Sequence, residues 1–171
     1  MITFGIVQGR LLVTPHGELQ WFPGEQWPKE FSLARDLGIS FIELMAEREH
    51  NPNNPIWSSN GRELIMKTVE NTGRSVYSTC NDFIINHRLI GKNSDTAIKQ
   101  VFNYLSATEE LGCKHAVIPL LEENNITNSN MMNFLDPLKG IAEVAKERNI
   151  NILIESLLDA YHLREFIEKI N

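Results

Sequence analysis

The sequence predicts an α/β fold, a partial (β/α) barrel of about five βα units with parallel strands, on three observations. Short β-branched runs alternate with longer stretches of helical period. Gly38, Gly73 and Gly112 each follow a helical stretch and precede a strand, where a residue of positive φ ends the helix. The connections are unequal: those from helix to strand are short, and those from strand to helix are long.

The expected strands are Thr3–Gln8, Phe41–Met45, Ser75–Thr79, Ala116–Leu120 and Asn151–Glu155. Each is short and mostly apolar, as in a strand covered on both faces. The expected helices are Lys29–Leu37, Gly61–Asn71, Asp95–Leu111, Met132–Arg148 and Ala160–Ile170. Ser59, Ser94 and Asp159 stand at N-cap positions. Ile141, Val144 and Ala145 form one apolar stripe, with Glu143, Lys146 and Glu147 on the opposite side.

The long loops cover residues 9–28, 46–60, 80–94 and 121–131. In a barrel of TIM type such loops gather at the carboxyl ends of the strands, which is where active sites lie. Residues 1–171 read as a single domain. A complete eight-unit barrel takes about 250 residues, so the chain is expected to stop before the last three βα units. An open parallel sheet leaves two edges, and exposed edges pair with other chains, so a homo-oligomer is expected.

Composition narrows the function. The chain is 42% hydrophobic and 22% charged, the balance of a soluble globular protein with a real core. A net charge of -6 without basic runs lacks the footprint of a nucleic-acid binder. There is no leader-like amino terminus and no window near the roughly 18 apolar residues of a membrane span, so the expected location is cytoplasmic. Cys80 and Cys113 have neither CxxC nor zinc spacing and read as buried, reduced thiols. In that compartment the Asn125-Ile126-Thr127 sequon carries no meaning.

Several residues at the strand ends carry candidate chemistry. Glu155 closes the apolar run Ile152-Leu153-Ile154, where an ionised carboxylate needs a cation or strong donors. It reads as a metal ligand and catalytic acid or base, or as one half of an ion pair. Glu43 has the same placement after Phe41-Ile42 and suits either a substrate hydroxyl or a structural pair with Arg10. Gln8 and Arg10 close the first strand, and an arginine there holds carboxylate or phosphate in bidentate fashion.

Asp82 shares a loop with His87, an acid and a histidine suited to proton transfer, although Asp is also a common turn residue. Trp21, Phe22 and Trp27 make the first loop aromatic, which suits sugar stacking or packing over the rim. Glu122 and Glu123 read as a solvated pair, His115 as structural, and His16, His50 and His162 as solvated positions.

Particular residues add a resemblance. Gln8-Gly9-Arg10-Leu11, Phe22-Pro23, Trp27, Glu30-Phe31, Leu37-Gly38 and Ile42-Glu43-Leu44 are similar to the opening of the sugar phosphate isomerase/epimerase group of the xylose-isomerase-like barrel superfamily. Asn81-Asp82-Phe83, Val117-Ile118-Pro119 and Leu153-Ile154-Glu155 agree with it further along. The resemblance implies a sugar or sugar phosphate as substrate and a divalent ion (Mn, Zn, Co or Mg) held by a Glu on the fifth strand and by an Asp, a His and a Glu on later strands. Glu155 matches the first ligand, and the other three would lie beyond residue 171, so the chain alone is expected to be inactive. Two alternatives stand beside an isomerase or epimerase: a non-catalytic partial-barrel interaction module, and a DNA-repair nuclease of the AP-endonuclease type, which the acidic balance opposes.

Overall fold

A computed structural model describes residues 2–15 and 21–170. His16 lies outside the described residues. The elements run β1 (Gly5–Val7), α1 (Trp27–Asp36), β2 (Phe41–Ala46), α2 (Ser59–Thr72), β3 (Ser75–Asn81), a short α3 (Phe83–Asn86), α4 (Ser94–Glu110), β4 (His115–Leu120), α5 (Leu135–Glu147), β5 (Asn151–Ser156) and α6 (Ala160–Ile170). The five strands form one parallel sheet in sequence order. Sequential order with a helix after each strand is the wall of a (β/α) barrel.

The predicted elements appear nearly as read. Gly38, Gly73 and Gly112 take φ of 73°, 65° and 68°, so each helix stop is a left-handed residue. Two caps differ: Ser58, not Ser59, caps α2 by accepting from the Gly61 amide, and Asn93 precedes α4 in the left-handed region, with Ser94 already helical. Asp159 caps α6 as expected, through the His162 amide.

Strand residues alternate between two faces. Ile42, Leu44, Ala46, Ala116, Ile118 and Leu120 enter the core shared with Phe31, Val101, Leu105, Ile141 and Phe166 of the helices. Tyr104, the largest fully buried side chain, ties α4 to β3: its hydroxyl accepts from Thr79 Oγ1 at 2.7 Å, and Thr79 and Thr108 share a hydrogen bond of 2.9 Å. The opposite face is open at its last strand, where Leu153 is 42% exposed and Glu155 is exposed, so β5 is covered on one side only. Cys80 and Cys113 are buried free thiols. No described helix is long and apolar enough to cross a membrane.

Candidate active site

Three loops open at the carboxyl ends of β1, β2 and β3, and each is fastened by one buried polar side chain. The first closes on Glu30, which is 1% exposed on α1. Its carboxylate accepts the Gly9 amide at 2.8 and 2.9 Å, the Leu11 amide at 3.1 Å and the Arg10 amide. Gly9 has φ 87° because the chain turns sharply round this anion, and the Trp21 indole seals the turn by donating to the Gly9 carbonyl at 2.8 Å. The second loop closes on Asn54, whose amide donates to the Met45 carbonyl and to Glu47 while its oxygen accepts from Ile56. The third closes on Asn124, which donates to the carbonyls of Ile84 and His87 and accepts from the Leu89 amide. Loops held in this way keep side chains at the mouth in place before any ligand arrives.

Three of the predicted residues converge on this mouth. Glu43 leaves β2 on the open face and accepts a hydrogen bond from Ser78. Ser78 can reach it because β3 uses one residue more than β2 between the Ile42/Val76 and Leu44/Thr79 pairings, a bulge that sets Tyr77 and Ser78 opposite Glu43, with the Tyr77 ring lying between Phe41 and His115. Asp82, 2% exposed, accepts from the Cys80 thiol at 3.2 Å and feels the charges of Glu155 and Glu43. Glu155 stands exposed on β5 and has no hydrogen-bond partner among the described residues. Gln8 is buried beneath this group, its Oε1 accepting from the Met45 amide at 3.2 Å.

The other candidates lie elsewhere. Trp27 is 5% exposed and packs edge-on against Phe31, so it is a core residue and offers no sugar platform. Arg10 is exposed and makes no ion pair among the described residues, so of the two readings of Glu43 the structural pair with Arg10 does not form, and Glu43 bonds to Ser78. His87 stacks on Phe83 at 3.8 Å, binds the Phe83 carbonyl and faces Glu49 at 3.7 Å, so the Asp82/His87 pair does not form. Glu122 and Glu123 are exposed but engage Arg48 and Arg88 rather than water alone. Arg48 thereby becomes the cation of the mouth, held by Glu122 at 2.7 and 2.9 Å and close enough to influence Asp82.

Burial pushes the Asp82 carboxyl above its ordinary value, with the Cys80 hydrogen bond and Arg48 offsetting part of the rise. The folded state therefore holds this proton more tightly than the unfolded chain does. The corresponding stability is present below the unfolded value of 3.8 and is lost as pH rises through the higher folded value. Asp82→Asn removes the ionisation, and in urea titrations near neutral pH it is expected to stabilise the fold by about 1 kcal/mol, with no gain at pH 3. A variant less stable than wild type at both pH values would contradict this.

No protein-family model matches the sequence, and neither does any curated protein sequence. Solved structures do match. An L-ribulose 3-epimerase superposes with a TM-score of 0.70 at 16% identity, covering 99% of this chain and 57% of its own. A 3-keto-D-glucoside 4-epimerase from E. coli gives 0.69 at 18%, covering 99% and 65%. A xylose isomerase-like TIM barrel protein from Mycobacterium smegmatis, in complex with magnesium, gives 0.67 at 12%, covering 98% and 61%.

The fold is that of part of a TIM barrel. The chain spans about six-tenths of the length of these barrels. Glu43 and Glu155 lie on β2 and β5 and Asp82 directly follows β3, and in a TIM barrel the carboxyl ends of the strands are where active sites are built. Among the described residues no three His, Cys, Asp or Glu side chains are grouped to hold a metal ion, so these residues alone do not complete a cation site.

Proposed function

We propose that this chain forms the larger part of the catalytic mouth of a divalent-metal-dependent sugar epimerase or isomerase. The observation that carries the reading is the placement of Glu43 on β2, Asp82 directly after β3 and Glu155 on β5, in a parallel sheet whose structural neighbours include sugar epimerases. Glu155 supplies one ligand or the proton-exchanging carboxylate, and further ligands come from barrel units outside this chain. A divalent ion held with the help of Glu155 would supply Lewis-acid polarisation of the sugar carbonyl and so acidify the neighbouring C–H. The chain's own part is to orient the substrate. Glu43, held by Ser78, accepts a sugar hydroxyl, and Asp82, in a dry setting, holds its proton more readily than a surface carboxyl.

The test is a calorimetric titration of Mn²⁺ into the polypeptide that carries the whole barrel, wild type against Glu155→Gln. A loss of about 100-fold in affinity is expected, the upper range for disturbing a metal site's shell. Equal affinities would remove Glu155 from the site, and no binding to wild type would end the metal-dependent reading.

A further inference from the structure

Beside the carboxylate group a second space opens between the first and second mouth loops. It is a cleft of about 600 Å³ whose lining includes Trp21 of the first loop, Met45 and Glu47 of the second, and Asp82. We infer that this cleft is a subsite for the second ring of a neutral glycoside, so that the substrate of the proposed reaction is an unphosphorylated sugar of more than one ring. The inference rests on the proposed epimerase or isomerase reading for the first ring and goes beyond it for the second.

Three observations carry it. The first is size and position. A cleft of this volume falls within the ~300–1,000 Å³ typical of small-molecule sites and has room for a sugar ring. Because Asp82 belongs both to the carboxylate group and to the cleft, a ring reacting at the group leaves the cleft free beside it. The second is preorganisation. The Trp21 indole is held by its bond to Gly9, and Glu47 is held by Asn51 and Asn54 at 2.8 Å each, so an aromatic ring and a fixed acceptor share the lining of one cleft. Apolar sugar faces stack on such rings while their hydroxyls donate to the carboxylate. Asp82 is buried in this lining with only the Cys80 thiol as side-chain hydrogen-bond donor among the described residues, so it still has acceptor capacity for a ligand hydroxyl.

The third is charge. Glu47, Glu49 and Asp82 line the cleft together with Arg48, which pairs with Glu122, and His50. A phosphate carrying about -1.5 to -2 charges would meet three carboxylates against one paired arginine and one histidine, a net repulsion that a neutral polyol does not feel.

The experiment titrates cellobiose, glucose and glucose 6-phosphate into the isotopically labelled chain and follows the Trp21 indole N–H and the backbone amides of residues 45–52 by NMR. Cellobiose is expected to shift these signals and to bind at least ten-fold more tightly than glucose or glucose 6-phosphate. Trp21→Ala and Glu47→Gln are each expected to weaken cellobiose binding about ten-fold. Equal binding of glucose and cellobiose, tighter binding of the phosphate, shifts confined to other surfaces, or no binding of any probe would each overturn the inference. A parallel Mn²⁺ titration of the whole barrel separates the two readings: cellobiose binding without metal binding leaves the subsite standing and removes the proposed chemistry, and the reverse removes the subsite alone.

Discussion

Replacing Glu30 by alanine is expected to cost about 3 kcal/mol of folding stability and to release the first mouth loop. The amides of Gly9, Arg10 and Leu11 all point at this one carboxylate, and no other acceptor among the described residues serves them. Each buried N–H left without a partner costs about 1–3 kcal/mol, and water entering the collapsed loop recovers only part of the sum. Burial holds the Glu30 carboxyl above its ordinary value, and the three backbone bonds offset part of that rise. Glu30→Gln keeps one acceptor oxygen and is expected to recover about half of the loss. Urea unfolding of the two variants measures the difference, and the Trp21 indole signal reports the loop. An alanine variant within about 0.5 kcal/mol of wild type would show that the loop does not depend on this anion.

The second large effect is expected at Tyr104. Tyr104→Ala removes the largest fully buried side chain between α4 and β3 and should cost about 4 kcal/mol, within the span seen for aromatic truncations in well-packed interiors. Tyr104→Phe keeps the ring and deletes only the hydroxyl that accepts from Thr79. Thr79 still has Thr108 as a partner at 2.9 Å, so this variant should cost about 1 kcal/mol. The gap between the two, read from thermal or urea unfolding, separates packing from hydrogen bonding. Equal losses would place the stability in the hydroxyl network. Because β3 continues into Asp82, the alanine variant should also disturb the mouth, seen as shifts of the Asp82 and Cys80 amides.

Much of the fold was legible because the signals are local. A left-handed residue after a helix needs glycine whatever surrounds it, and Gly38, Gly73 and Gly112 behave accordingly. The spacing Trp27, Glu30, Phe31, Ala34 marks one buried face of α1. Followed through, that spacing places Trp27 in the core and singles out Glu30 as a carboxylate on an apolar stripe. Both conclusions were available from the sequence, and the aromatic reading of Trp27 obscured them.

What the sequence determined by itself was the order of strands and helices, the loop-rich face and the carboxylates that end strands, since each depends on residues within a few positions of one another. Only the tertiary structure decided which of those carboxylates meet and what holds them. The β3 bulge that brings Ser78 to Glu43, the reach of Asn124 back to Ile84 and His87, and the pairing of Arg48 with Glu122 join residues 35 to 74 positions apart. No local periodicity encodes such contacts. They follow from the register of neighbouring strands, where a shift of one residue turns a side chain from the mouth into the core.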